Sequence, residues 1–193
     1  MPTAFRFTSK DLEAMPQIEG VRYEIIDGDL HVSRQATWAH QHACDEAYRV
    51  LQDWSDESRA GYARSAPGLV FAEDEDVIPD VVWISNERLA AALDDSGHLR
   101  MAPELVVEVL STGTTNERRD REFKLKLYSR QGVEEYWIVN RRLRTVQVYR
   151  RGQQALQLIC TALDGDTLTS SLLPGFCCPV RRFWWAGRSA TAP

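Results

Sequence analysis

Two acidic residues stand on two apolar segments of the chain, and together they could hold a divalent cation. Asp80 follows Pro79 and precedes Val-Val-Trp-Ile, while Glu108 lies within the run Leu-Val-Val-Glu-Val-Leu. Burying a carboxylate in such a segment is costly unless a cation or hydrogen bonds compensate. Mg²⁺ and Mn²⁺ prefer hard oxygen ligands and are typically held by one or two carboxylates. Asp80 and Glu108, with the carbonyl oxygen of Val109, therefore form a candidate site for Mg²⁺ or Mn²⁺.

Structural roles would explain the same acids. Asp80 could cap a turn and Glu108 could pair with an arginine, and for either residue taken alone this is the better explanation. The metal-site explanation gains when both acids are considered with the helical segment that follows them.

A lysine on that segment could complete a phosphodiesterase site. Asp120, Lys124 and Tyr128 recur at every fourth position of a helix predicted for residues 116–131, so they share one face. An ammonium group there could stabilise the charge of a phosphoryl transition state or orient an attacking water. On spacing alone, a surface ion pair between Asp120 and Lys124 is the better explanation.

The elements that must position these residues follow from hydrophobic periodicity and turn residues. Residues 104–139 read as strand, helix and strand, which predicts a right-handed crossover between parallel strands. Residues 55–66 read as a polar connection and residues 73–76 as an exposed acidic turn. The pattern predicts an α/β fold with a central mixed sheet flanked by helices. Helices are predicted over 9–13, 38–54, 86–94 and 116–131, and strands over 23–26, 29–32, 69–71, 80–84, 105–110, 135–139, 144–150, 155–161 and 168–172.

Composition favours one globular domain spanning residues 1–193, with 44% hydrophobic and 26% charged residues. The net charge of −5 argues against coating nucleic acid by charge alone, so such a partner would need a local basic face. Candidate faces lie at 118–126, 141–144 and 150–151, although such runs are more often simply solvated. The first residues lack a basic, apolar leader and no apolar run could span a membrane, so we expect a cytoplasmic protein without a membrane partner.

Five segments of the chain, each weak alone, are specific in their order and spacing. They are residues 23–30, 40–41, 79–82, 104–111 and 120–139. Together they resemble the PD-(D/E)XK restriction-endonuclease-like superfamily, and within it the Uma family of bacterial endonucleases. The resemblance covers about residues 8–183 and implies a restriction-endonuclease-like core.

The resemblance also implies a set of site residues. Asp80 and Glu108 would bind the metal ion, and Glu24 would be a further acid of the site. The usual lysine of the superfamily would stand two residues after Glu108, where this chain has Leu110. In the Uma family that role passes to the following helix, which assigns it to Lys124.

Three residues keep alternative explanations. Glu24 is about as readily a structural acid bonded to the hairpin turn. His40 could face the substrate, but a lone histidine is more often structural. Asn140 stands where the strand of the family commonly ends in Asp, and the missing charge would weaken activity.

The expected function is that of a Mg²⁺-dependent endonuclease in which water activated by the ion attacks a DNA phosphodiester. His40, Arg118, Arg119 and Arg121 are expected to contact the nucleic acid. A homodimer is expected, because a two-fold dimer can cut both strands. The alternative is a nuclease fold that binds nucleic acid or a protein partner without cutting. The acidic composition and Leu110 favour that alternative.

Overall fold

The computed structural model describes residues 5–111 and 119–186. Its helices are α1 (Ser9–Glu13), α2 (Trp38–Ser58), α3 (Asn86–Ala92) and α4 (Leu125–Gln131), with a π-helical segment (Arg119–Lys124) directly before α4 and a 3₁₀ helix at Val180–Phe183. The strands are β1 (Arg22–Ile26), β2 (Asp29–Ser33), β3 (Gly61–Ser65), β4 (Leu69–Ala72), β5 (Glu75–Val77), β6 (Val81–Ser85), β7 (Leu105–Val109), β8 (Glu135–Asn140), β9 (Thr145–Arg151), β10 (Leu156–Leu163), β11 (Thr167–Thr169) and β12 (Cys177–Pro179). Within the described ranges, no helix is both long and apolar enough to cross a membrane.

The central sheet has six strands in the order β10-β9-β8-β7-β6-β3. Strands β7 and β8 are parallel, with Leu105 opposite Glu135 and Val109 opposite Val139. The other neighbouring pairs of this sheet are antiparallel. The sheet is therefore mixed and flanked by helices, which confirms the fold class predicted from the sequence.

Alternation along the strands gives the central sheet two buried faces. The odd-numbered residues of β7 pack in a core cluster with Ala47 of α2, whereas Val106 packs with Leu127 and Tyr128 of α4. Successive side chains of a strand point to opposite faces. Glu108, an even-numbered residue of β7, therefore lies on the face that α4 covers. Its place on that face decides which elements can reach its carboxylate.

A second sheet, in the order β2-β1-β5-β4, supplies the other wall of the site. Strands β1 and β2, both predicted from the sequence, form a hairpin at Asp27-Gly28, and both turn residues have positive φ, 52° and 78°. Asp-Gly tolerates this backbone conformation. Strand β1 carries Glu24, which is 2% exposed.

The prediction of a polar connection over residues 55–66 is wrong. These residues contain the end of α2 and edge strand β3, in which Gly61 and Ala63 are buried while Tyr62 and Arg64 are exposed. Half of an edge strand is polar when one face meets solvent, so composition alone hides it.

The prediction of an exposed turn over residues 73–76 is also wrong in part. Glu75 belongs to β5 and is 7% exposed. It pairs with Arg130 and accepts a hydrogen bond from Gln131, both of which lie at the end of α4. Partners that are distant in sequence therefore bury an acid that local composition assigns to the surface.

Gly61 is required by the close approach of β3 to β6. A Cβ atom there would lie 2.2 Å from the carbonyl oxygen of Ile84, which is backbone and cannot yield cheaply. Gly61→Ala should therefore lower the free energy of unfolding by about 1–3 kcal/mol, as overpacking does. Urea denaturation of both variants measures this, with Gly165→Ala as the matched control because nothing lies within 4 Å of its Cβ position. Equal stabilities of the two variants would contradict the packing described.

Candidate active site

A cavity of about 550 Å³ collects the acids and the lysine that the sequence singles out. Its walls come from β1, the start of α2, the residues before β6, the end of β7 and the π-helical segment. The sequence-predicted residues that line it are Glu24, His40, Asp80, Glu108, Val109, Arg119 and Lys124. The structure thus brings together side chains from distant parts of the chain.

Lys124 bridges two of the acids. Its Nζ lies 2.8 Å from Glu24 Oε1 and 2.8 Å from Glu108 Oε1, and the residue is 1% exposed. Burial alone would lower the pKa of Lys124, but the carboxylates of Glu108 and Glu24 outweigh it and raise the pKa. The ammonium therefore stays protonated, which suits electrostatic stabilisation and excludes a role as a general base.

A surface pair between Asp120 and Lys124 is not what the structure shows. Both residues are 1% exposed, and Asp120 Oδ1 accepts a hydrogen bond from Arg119 Nε at 2.9 Å. Burial raises the pKa of Asp120, although the charges of Lys124 and Arg119 partly oppose this. Asp120 is therefore part of the buried charge cluster.

The π-helical segment directs these side chains inward. Asp120, Lys124 and Tyr128 are all buried, as their shared face predicts, whereas Phe123 is 36% exposed. A π-helix closes its hydrogen bonds over five residues instead of four, so its faces differ from those of an α-helix. Such turns are frequent at functional sites.

Asp80 connects the start of β6 with the end of β7. Its Oδ2 accepts a hydrogen bond from Val109 N at 2.9 Å and lies 3.5 Å from His40 Nε2, while Oδ1 lies 3.4 Å from Arg22. Burial alone would raise the pKa of Asp80, but the hydrogen bond to His40 and the charge of Lys124 lower it. Asp80 is therefore ionised at neutral pH.

Protein groups contact both ring nitrogens of His40 and fix the orientation of the ring. Its Nε2 lies 2.8 Å from the carbonyl oxygen of Val109, and because a carbonyl only accepts, Nε2 carries the hydrogen. Nδ1 lies 3.4 Å from Cys44 Sγ, whose thiol can donate to it. Burial, with the charges of Asp80 and Glu108, raises the pKa of Cys44 well above its usual range, so the thiol keeps its proton.

The two remaining carboxylates differ in charge state. Burial, together with the charges of Asp80 and other nearby acids, raises the pKa of Glu108 to about 8, in spite of Lys124. Burial would also raise the pKa of Glu24, but Lys124 and Arg119 lower it. Tyr128 donates a further hydrogen bond to Glu108 Oε1 at 2.9 Å. The two acids that share Lys124 are therefore not equivalent.

Glu24 has a backbone partner outside its own hairpin. Its Oε1 accepts a hydrogen bond from Ile78 N at 2.9 Å. The bond ties β1 to the segment that leads into Asp80. It differs from the bond to the hairpin turn that the structural explanation of Glu24 required.

The residues present fit a divalent cation. With every group ionised, the buried cluster has four carboxylates and two cations, which leaves two excess negative charges that a divalent ion would offset. Asp80, Glu108 and the Val109 carbonyl are hard oxygen donors of the kind Mg²⁺ and Mn²⁺ prefer. The carbonyl keeps a second lone pair besides the one facing His40. The cluster comprises Glu24, Asp80, Glu108, Asp120, Arg119 and Lys124.

A second group of potential metal ligands overlaps this one. Metal-binding atoms of His40, Cys44 and Asp80 lie within 4.8 Å of one another. The two ring nitrogens of His40 face different members of the group, so one ion could not use both contacts. In the structure the group forms a chain of contacts that supports Asp80.

The arginines expected to contact nucleic acid take different places. Arg119 is buried, with its guanidinium held by Asp120 and by Glu24 at 3.4 Å. Arg121 is hydrogen-bonded to Gln147 on β9 and is not among the residues lining the cavity. Arg118 lies outside the described residues.

Sequence reasoning missed two other arginines at the cavity, Arg22 and Arg34. Arg34 is exposed, and the side chain of Arg22 is 41% exposed. Neither belongs to a basic run, so composition carries no sign of them. The role of Tyr128 was within reach, because it stands four residues after Lys124.

The two departures from the family pattern have structural places. Leu110, which occupies the usual lysine position, is buried in the core cluster on the α4 side. Asn140 is 5% exposed, and its Oδ1 accepts a hydrogen bond from Leu143 N at 3.1 Å. Asn140 thus stabilises the turn between β8 and β9.

Comparisons with known proteins identify the family and the fold. A family model described as "Uma2: Putative restriction endonuclease" matches residues 9–181. Among solved structures, "a putative nuclease belonging to DUF820" from Anabaena variabilis ATCC 29413 superposes with a TM-score of 0.71. Its sequence identity is 18%, and the alignment covers 92% of this chain and 97% of that chain. At that identity the likeness shows the fold alone. None of the curated proteins matches the chain significantly.

The raised pKa of Glu108 should make the stability of the metal-free protein depend on pH. The carboxyl has a pKa of about 8 when folded, against an ordinary value of 4.5. Its proton stabilises the fold fully below the ordinary value, and this contribution is lost as pH rises through the folded pKa. The difference in unfolding free energy between wild type and Glu108→Gln should therefore change by about 1 kcal/mol per pH unit between these values.

Chemical denaturation in EDTA between pH 5 and pH 9 measures that difference. Glu135→Gln is the matched control, because Glu135 is buried beside Arg150, at 2.8 Å, and does not line the cavity. The slope for Glu108→Gln is compared with the slope for this control. No slope for Glu108→Gln would show that Glu108 is ionised throughout.

Proposed function

The chain belongs to the Uma2 family, and from that membership and the geometry of its cavity we propose that it is a Mg²⁺-dependent endonuclease hydrolysing DNA phosphodiester bonds. The observation that carries the proposal is the convergence of Asp80, Glu108 and Lys124 on one cavity. Buried carboxylates suit a divalent ion, and the lysine beside them suits an anionic transition state.

Asp80, Glu108 and the Val109 carbonyl would hold Mg²⁺, or Mn²⁺ in its place. Such an ion supplies positive charge to the phosphate and acidifies water, so that a nucleophile forms near neutral pH. Asp80 is ready for this role at neutral pH because its pKa is lowered. Glu108 must first lose its proton, so binding of the ion is coupled to proton release.

Lys124 would stabilise the charge that develops on the phosphate. Its ammonium is fixed by Glu24 and Glu108, each at 2.8 Å, so little reorganisation is needed during the reaction. Glu24 acts through Lys124 in this proposal, and Arg119 acts through Glu24. His40 would orient Asp80 and the Val109 carbonyl.

The nucleic acid would approach over the exposed rim of the cavity. Arg22 and Arg34 are the rim cations that the structure describes, and we keep Arg118 and Arg121 as further candidates. We also propose that the protein works in the cytoplasm as a homodimer, because a two-fold dimer presents two sites to the two strands. Sedimentation equilibrium measures the oligomeric state. A monomeric protein that still cuts both strands of duplex DNA would contradict the proposed dimer.

Asp80→Asn should abolish Mg²⁺-dependent nicking of supercoiled plasmid. The amide oxygen still accepts the bond from Val109 N, so the fold should persist while the ion loses a charged ligand. Asp80→Ala is the poorer variant, because it leaves a buried N–H unpaired at a cost of about 1–3 kcal/mol. Glu135→Gln removes a buried carboxylate away from the cavity and should cut at the wild-type rate. EDTA should stop cleavage by both the control and the wild type.

The same assay separates chemistry from metal binding. Lys124→Gln should lower the cleavage rate by roughly 10²–10³, the scale for losing one transition-state stabiliser, while Mn²⁺ still binds. Wild-type cleavage no greater than that of Asp80→Asn, on supercoiled, linear and single-stranded DNA with either ion, would overturn the endonuclease. A nuclease fold that binds without cutting, which the acidic composition and Leu110 favour, would then be the better function.

A further inference from the structure

A smaller cavity of about 160 Å³ adjoins the active-site cavity. Arg34 and Arg141 line it, together with polar residues, and none of its described lining residues is acidic. Six residues line both cavities, and only Thr37 and Arg141 belong to the smaller one alone. The shared residues are Ser33, Arg34, Gln35, Ala36, His40 and Ser111. A group bound in one cavity would therefore lie directly beside a group bound in the other.

The N-terminus of α2 opens into this smaller cavity. Thr37, the N-cap, lines it and accepts a hydrogen bond from His40 N at 3.3 Å. The helix has 21 residues and no acidic residue in its first turn, so no side chain of that turn neutralises the positive end of its dipole. Helix N-termini of this kind bind anions through their free N–H groups.

Arg141 is partly exposed, lines the smaller cavity and, among the described residues, keeps one donor unpaired. Its Nε is buried, yet it has no hydrogen-bond partner in the part of the chain that the structure describes. Buried donors are normally paired, so this one calls for an acceptor. An arginine guanidinium matches the geometry of phosphate oxygens and can bind them bidentately.

We propose that the smaller cavity is a phosphate subsite that holds the phosphodiester group next to the one that is cleaved. This inference rests on the proposed function for the identity of its ligand, and it adds a second phosphate contact along the bound DNA. The volume has room for about five water molecules, which suits a single phosphate group. Because the two cavities share a wall, one strand can occupy both.

Binding of a labelled oligonucleotide in EDTA tests the subsite without any cleavage. Arg141→Gln should weaken binding about tenfold whatever the base sequence, and it should lower the log–log salt slope by about one. Arg142→Gln is the matched control, because Arg142 is exposed one residue away and lines neither cavity. It should change binding little. Inorganic phosphate should compete with the oligonucleotide on wild type more strongly than on Arg141→Gln.

Arg34→Gln gives a second measurement, because Arg34 is exposed and its loss should leave the fold intact. It should weaken binding in the same way. Equal effects of Arg141→Gln and Arg142→Gln, or no oligonucleotide binding by the wild type, would overturn the subsite. If Arg141→Gln weakens binding and Arg142→Gln does not, but the wild type never cuts, the subsite stands and the endonuclease fails. If the wild type cuts DNA and Arg141→Gln changes neither binding nor cleavage, the endonuclease stands and the subsite fails.

Discussion

The buried ammonium of Lys124 is the interaction on which the site depends. It joins Glu24 of β1 to Glu108 of β7 and so fastens the second sheet to the central one. Breaking a buried pair of this kind costs about 3–5 kcal/mol, because the remaining charge is left without compensation. The π-helical segment must place Lys124 on the same face of the sheet to which Glu108 points from β7, because the ion pair forms only if both do so.

The same cluster leaves the acids of the site in different charge states. Asp80 is held ionised by its neighbours, whereas Glu108 has a pKa of about 8 because burial and other carboxylates surround it. The buried carboxylates of the larger cavity stand beside the unpaired Nε of Arg141 and a helix N-terminus in the smaller one. A DNA strand could place one phosphate at the proposed metal site and the next phosphate in the smaller cavity.

Local sequence determined much of the fold. The Asp-Gly hairpin, α2 and the parallel pair of β7 and β8 follow from turn chemistry and periodicity, which act over a few residues. The predictions for segments 55–66 and 73–76 are wrong because tertiary position decides both. Strand β3 is an edge strand with one face in solvent, and Glu75 is buried by its ion pair with Arg130.

For the site too, the sequence selected some features and the tertiary structure decided the others. Residue types, order and the family resemblance selected Asp80, Glu108, Lys124 and Glu24 from the sequence alone. Only the tertiary structure decided that Lys124 bridges two acids, and that Arg141 lines a second cavity. Such contacts are set by long-range packing, and a pKa depends on burial and on neighbouring charges, neither of which is encoded in local spacing.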